Sequence, residues 1–318
     1  MNKIKNLPTL IFLHIPKTAG RTFYNILVRQ FLPFEILRLE YLFSKNCPRS
    51  SQSPYGFFNS FLQEYALNYL NNLPDDKKIN LKCVTQGHLA FGLHTYFPQK
   101  ASYVAFLRNP VDRVISQYCY LRRRPNNPLY YSVKNKTLKD YVEGERNPGQ
   151  FSNVQTRFLC GQEGILKQGE LSESDLELAQ KRLKENFAFV GITEKFDESL
   201  ICLKKFFGWK NIFYYKSNVS KKRPLVEEIS RDTLRIIQEK NKLDVQLYKF
   251  ARRMLERSIN NYGLSFEADL RVFRKKLPVL GKLLYLRRII TASPRMYKDK
   301  LLIKLGEVKA KYDIFKSN

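Results

Sequence analysis

Two hydrophobic rhythms alternate along the chain. Short, nearly continuous apolar runs at 9–15, 83–85, 103–107, 187–192 and 212–215 are bounded by polar or turn residues and predict buried strands. Runs without polar alternation predict a parallel sheet covered on both faces. Between them, apolar residues recur at helical spacing: Phe23, Ile26, Leu27 and Phe31 after the first run, and Val111, Val114, Ile115, Tyr118 and Cys119 after the third. Asn109 and Pro110 supply an N-cap and a first helical position for the second of these helices. Segments 57–71, 173–185, 196–207, 225–238 and 242–258 also predict helices, and 44–56, with its Ser, Pro and Gly, predicts a loop. Strands alternating with helices make this an α/β fold of the doubly wound kind, with no internal repeat.

The pattern divides the chain into a main domain, 1–262, and an extension, 263–318, where Leu, Ile and Val alternate with cations. Between Arg271 and Asn318 stand 14 Lys+Arg against 3 Asp+Glu, so the extension predicts two basic amphipathic helices, broken near Pro278 and Pro294. They can pack on the main domain or lie on an anionic membrane surface. The whole chain of 318 residues has 56 Lys+Arg against 29 Asp+Glu, a net charge of +27, which points to an anionic partner: nucleotide, acidic glycan, anionic lipid or nucleic acid. Five cysteines (47, 83, 119, 160, 202) lie scattered without a CxxC pair and, with only three histidines, make a zinc site improbable. The first apolar stretch is interrupted by His14 and Pro16-Lys17, so it predicts a strand and not a signal peptide, and the expected location is cytoplasmic.

Candidate chemistry gathers at two strand-to-helix turns. In the run HIPKTAGRT (14–22), a buried strand leads through a lysine, hydroxyls and small residues into a helix. Helix-start N–H groups and the helix dipole make such a turn an anion cradle, with Ala19 and Gly20 leaving room and Thr18 and Thr22 adding hydroxyls. It is not GxxxxGK[ST]: the lysine comes first, which suits metal-free transfer of a sulfuryl group better than ATP hydrolysis. In the run LRNPVDRVIS (107–116), Arg108 stands at a strand's carboxyl end and Ser116 two turns into the next helix, a pair suited to a phosphate.

The first run resembles the 5'-phosphosulfate loop of carbohydrate sulfotransferases related to heparan sulfate 2-O-sulfotransferase, and the second resembles their 3'-phosphate motif. The resemblance extends through 153–161 (NVQTRFLCG), 189–197 (FVGITEKFD) and 243–248 (LDVQLY), covering roughly residues 8 to 258. It implies a P-loop-like fold and 3'-phosphoadenosine-5'-phosphosulfate (PAPS) as donor, giving 3'-phosphoadenosine-5'-phosphate (PAP) without a metal. It implies Lys17, Thr18, Ala19, Gly20, Arg21 and Thr22 at the phosphosulfate, with Lys17 on the bridging oxygen, and Arg108 and Ser116 at the 3'-phosphate. The cationic run 218–224 can cover that phosphate.

An attacking hydroxyl needs a base, and His88, after the strand 83–85 in a Gly-His pair resembling the family's catalytic histidine, is the candidate; His94 and a carboxylate stay open. The implied enzyme is a bacterial-type sulfotransferase acting on a carbohydrate or glycolipid acceptor, with Arg122, Arg123 and Arg124 placed to guide an acidic one and no nucleic-acid partner. Two other readings remain: a polyanion-binding protein without catalysis, and an ATP-dependent kinase on the same fold.

Overall fold

The computed structural model describes residues 8–39, 60–85, 87, 89–127, 129–144, 151–161, 170–215, 224 and 226–292. Its five strands are β1 Thr9–Leu13, β2 Ile36–Arg38, β3 Cys83–Thr85, β4 Ala101–Leu107 and β5 Phe187–Ile192. They form one sheet in the order β2-β3-β1-β4-β5, every pair parallel. All five residues of β1 are buried, which explains why the sequence there is a continuous apolar run and not an alternation.

Aromatic rings tie a helical layer to each face. On one, Phe23 of α1 (Gly20–Leu27) meets Phe12 and Phe106 with centroids 4.9 and 4.8 Å away, and Phe196, which opens α6 (Phe196–Phe207), lies 5.0 Å from Phe106. On the other, Tyr103 stacks on Phe187 at 5.2 Å and meets Phe91 in a tilted contact at 4.8 Å, and Arg182, from the helix Glu173–Glu185, lays its guanidinium 4.5 Å from the Phe91 ring. The remaining helices that matter here are α2 Ser60–Asn72, α3 Pro110–Leu121, α4 Val154–Leu159, α5 Glu173–Glu185, α7 Arg231–Lys240, α8 Lys242–Tyr262 and α9 Phe266–Ala292. The N-terminus of α3 forms as the sequence predicts: Asn109 Oδ1 accepts from the N–H groups of Val111 and Asp112 at 3.0 and 3.4 Å, with Pro110 in the first position. The helix predicted over 225–238 instead begins at Arg231, where Ser230 caps it through the Thr233 N–H.

Two predictions are corrected. Residues 212–215 are not a strand, although Ile212 and Tyr214 are buried. In place of a ladder, side chains reach this stretch and its flank: Arg29 donates to the Phe213 carbonyl, Asn211 Oδ1 accepts from the Phe213 N–H at 3.3 Å, and Gln30 donates to the carbonyl of the preceding Asn211. The fifth strand is β2, three residues too short to show a pattern. The break at Pro278 also fails to occur, because α9 runs through it. An interior proline costs roughly 3 kcal/mol, and contacts on both sides of it offset that. Phe273 stacks on Phe213 at 5.2 Å, Arg274 pairs with Asp197 and Glu198 at 3.2 and 3.0 Å, and Gly281 packs so close that a Cβ would stand 2.4 Å from the Tyr214 carbonyl oxygen. Residues 293–318, including Pro294, lie outside the described residues. Among the described residues no helix is long and apolar enough to cross a membrane.

This order sets the carboxyl ends of β3, β1 and β4 side by side, the edge at which open α/β sheets bind ligands.

Candidate active site

The loop from Leu13 to Gly20 has an unusual backbone. Lys17 (φ 72°) and Ala19 (φ 63°) are two of the three non-glycine residues with positive φ among the described residues. Each such residue costs about 1–3 kcal/mol, and such strain concentrates at functional sites. Left-handed residues in a turn aim successive N–H groups into one concavity, which favours an anion, and the start of α1 adds its dipole. The loop is braced from within. Thr18 is buried and its hydroxyl donates to the Ile15 carbonyl at 2.9 Å, while Thr22 N–H closes on the Ala19 carbonyl at 2.9 Å. His14 stacks on Phe12 and lies so near Gly20 that a Cβ there would stand 1.8 Å from Nε2, so no larger residue fits without displacing the imidazole. Arg21 is exposed at the rim.

Lys17 lays its ammonium over the ring of Tyr120, 4.1 Å from the centroid, and the Arg124 guanidinium lies 5.4 Å from the same ring. Burial, then the nearby charges of Arg108, Arg123, Arg124 and Arg113, lower the Lys17 pKa to about 8. A cation held down by other cations is relieved by an anion. Nucleotide binding at pH 8 should therefore draw a fraction of a proton, about half, onto Lys17. The sign follows: Lys17 is charged below pH 8 and loses its proton above it, so anion affinity falls as pH rises through that value. Calorimetric titration with PAP in two buffers of different ionisation enthalpy reads the uptake. It should vanish at pH 6 and in Lys17→Met; equal uptake in that variant assigns the proton elsewhere.

Arg108 follows β4 and joins the second turn to the first. Its Nη1 donates to the Lys17 carbonyl at 3.0 Å, while Nη2 and Nε lie 4.0 and 3.9 Å from Asp112 and Glu194. The guanidinium thus bridges the loop carrying the lysine and the start of α3. Ser116 is half-buried further along that helix, between the buried Ile115 and Gln117. Arg113, fully buried, donates to Gln117 at 3.0 Å and to the Phe151 carbonyl.

The candidate bases separate. His88 lies outside the described residues, as do 218–223 of the cationic run. His94 is tied to the sheet face at mid-strand: its Nδ1 is 3.1 Å from the Tyr103 hydroxyl, and burial, then Arg182, lowers its pKa. Arg122 stacks on Tyr118, and Arg123 donates to the Cys119 carbonyl at 2.9 Å. Three participants carried no signal of their own in the sequence reading: Tyr120 under the lysine, and Gln155 and Glu194 beside Arg108. Gln155 and Glu194 stand within the segments 153–161 and 189–197, to which the resemblance extends.

Comparison with known proteins finds carbohydrate sulfotransferases. A family model described as galactose-3-O-sulfotransferase matches residues 2–280. Human heparan-sulfate 6-O-sulfotransferase 1 is 26% identical over 291 residues, covering 80% of this chain and 67% of that protein. Mouse galactose-3-O-sulfotransferase 2 is 23% identical over 271 residues, 79% of this chain and 63% of the relative. The heparin sulfate O-sulfotransferase of Drosophila melanogaster is 27% identical over 187 residues, covering 54% of this chain and 53% of that protein. The chain spans about two thirds of the length of the first two relatives.

Proposed function

The chain belongs to the galactose-3-O-sulfotransferase family of carbohydrate sulfotransferases, and from that premise we propose that it transfers the sulfuryl group of PAPS to a hydroxyl of a carbohydrate acceptor. The observation that supports this reading is the hydrogen bond from Arg108 to the Lys17 carbonyl, which joins the two candidate turns at the carboxyl ends of β1 and β4. The strained loop with Lys17 fits a 5'-phosphosulfate, and Arg108 with Ser116 fits a 3'-phosphate. PAPS supplies a sulfuryl group activated by its attachment to a phosphate.

Each residue then has a task. Lys17 and the N–H groups at the start of α1 neutralise charge growing on the phosphate oxygen as it departs with the S–O electron pair. Tyr120 holds the ammonium in place by its ring face. Arg108 selects nucleotides with a 3'-phosphate, and Ser116 supplies a hydroxyl beside it. His88 takes the proton of the acceptor hydroxyl as its oxygen bonds to sulfur; the Gly-His resemblance to the 2-O-sulfotransferases supports that role, together with the position of β3 beside β1. Arg122, Arg123 and Arg124 favour an acidic acceptor.

Calorimetry with PAP and 5'-AMP tests the donor without needing the acceptor. The wild type should prefer PAP, and Arg108→Ala should lose roughly 10- to 100-fold of that preference, as expected for a charge-assisted phosphate contact. Equal affinity for PAP and AMP in the wild type would sink this reading and favour a polyanion-binding protein without catalysis.

A further inference from the structure

The turn that carries Arg108 is gripped from two sides. On one, the Gln155 carboxamide bonds to both main-chain groups of Arg108: Oε1 accepts from its N–H at 2.8 Å and Nε2 donates to its carbonyl at 2.9 Å. On the other, Glu194 Oε1 accepts from the Asn109 N–H at 3.0 Å. Neither residue is required to build an anion site, and neither belongs to the two turn motifs.

Both grips lead back to one helix. Asp244, in the first turn of α8 and fully buried, accepts from the N–H of Gln155 at 3.0 Å and from the N–H and hydroxyl of Thr156 at 2.8 Å each, so it caps α4. Asn153, held left-handed at φ 47°, returns the favour by accepting from the N–H groups of Leu243 and Asp244 at 3.1 Å each and donating its own N–H to Asn241 at 3.0 Å. One turn along α8, on the same face, the Tyr248 hydroxyl donates to Glu194 Oε2 at 3.1 Å. Burial and the adjacent Glu194 raise the Tyr248 pKa, so that donor stays protonated. Asp244 and Tyr248 therefore end on opposite sides of Arg108, each through one intermediary.

We propose that Gln155 and Glu194 are positioning residues for the donor: a clamp anchored on α8 that fixes the Arg108–Asn109 backbone and thereby sets recognition of the 3'-phosphate. The proposal rests on the reading of Arg108 as the 3'-phosphate residue. A primary amide is the side chain that can donate to the carbonyl and accept from the N–H of one residue together. A leucine of similar volume does neither, and a glutamate keeps the N–H bond while turning an oxygen toward the carbonyl. Releasing that peptide frees the guanidinium to leave the Lys17 carbonyl and the phosphate site.

The test measures PAP and 5'-AMP affinity calorimetrically in the wild type, Gln155→Leu, Gln155→Glu and Gln99→Leu, with thermal midpoints. Gln99 donates to Thr9 Oγ1 at 2.9 Å and to the Lys78 carbonyl at 2.6 Å, at the amino end of β1, so its loss controls for stability away from the site. Gln155→Leu should lower the PAP/AMP affinity ratio by roughly 10- to 100-fold, with a smaller loss in Gln155→Glu, as when supporting partners of a binding residue are removed. Gln99→Leu should lower the midpoint and keep the ratio. Should Gln155→Leu not fold, Tyr248→Phe, which removes one hydroxyl from the Glu194 side, should lower the ratio by roughly threefold to tenfold. An unchanged ratio in folded Gln155→Leu, or in Tyr248→Phe where that is the variant that folds, overturns the clamp alone, as does an equal fall in Gln99→Leu. A wild type with no preference for PAP overturns the donor reading and the clamp's role with it.

Discussion

Lys17→Met should lower kcat by roughly 10²- to 10³-fold, the size of effect seen when one donor to a developing oxyanion is removed, and should raise the thermal midpoint at pH 7. The two changes have one cause. The Lys17 ammonium is half-buried beside Arg108, Arg123 and Arg124, which with burial lower its pKa to about 8. The folded state therefore holds a cation it disfavours, an arrangement that serves an incoming anion at the expense of stability. Methionine keeps the unbranched stem over Tyr120 and removes the charge.

The pH dependence of that stability difference is fixed in sign. Below pH 8 lysine is protonated in the folded and unfolded states alike, and the folded state bears the full unfavourable interaction. Between 8 and the ordinary lysine value of 10.5 the folded state sheds the proton first, so the wild type gains on Lys17→Met across that window and matches it above. Melting both proteins from pH 6 to 10.5 reads the convergence. Turnover of labelled PAPS with heparan sulfate and with galactosides, the acceptors that the relatives' names give, reads kcat. A Lys17→Met protein that turns over within threefold of the wild type would remove Lys17 from the mechanism.

How much of this was legible in the sequence depends on how local each signal is. Asn109-Pro110 predicts the start of α3 because a cap and a first-turn proline act within four residues. The Lys17 loop is legible for the same reason: strand, small residues and helix lie in one stretch of chain. β2 offers only Ile36, Leu37 and Arg38, too few to show a period. The run 212–215 has the composition of a strand, but its Phe213 carbonyl accepts from Arg29, 184 residues away in sequence, and Gln30 holds the flanking Asn211 carbonyl from 181 residues away. Pro278 obeys its local rule in isolation and loses to packing around Gly281 and Phe273. Gln155 and Asp244 look like ordinary polar residues in helical segments, since their partners lie 47 and 88 or 89 residues away.

Asp244→Ala should cost roughly 3–5 kcal/mol of folding stability, because three buried donors lose their acceptor at about 1–3 kcal/mol apiece. The substitution leaves two backbone N–H groups and the Thr156 hydroxyl facing a space where Asp244 was fully buried. It also removes a negative charge from the N-termini of α4 and α8 together, where both helix dipoles favour it. Asp244→Asn should cost less, because one oxygen still accepts, yet its amide hydrogens then face the N–H group that lost its acceptor. Urea denaturation compares both with Glu143→Ala, which breaks a pair to Lys139 in which both side chains are 49% exposed, a change expected to stay below about 1 kcal/mol. Against a typical total of about 5–15 kcal/mol, Asp244→Ala leaves a marginal fold, and saturating PAP should restore part of the loss by mass action. Equal costs for Asp244→Ala and Glu143→Ala would mean that the junction of α4 and α8 is held by its apolar contacts, with the carboxylate a bystander.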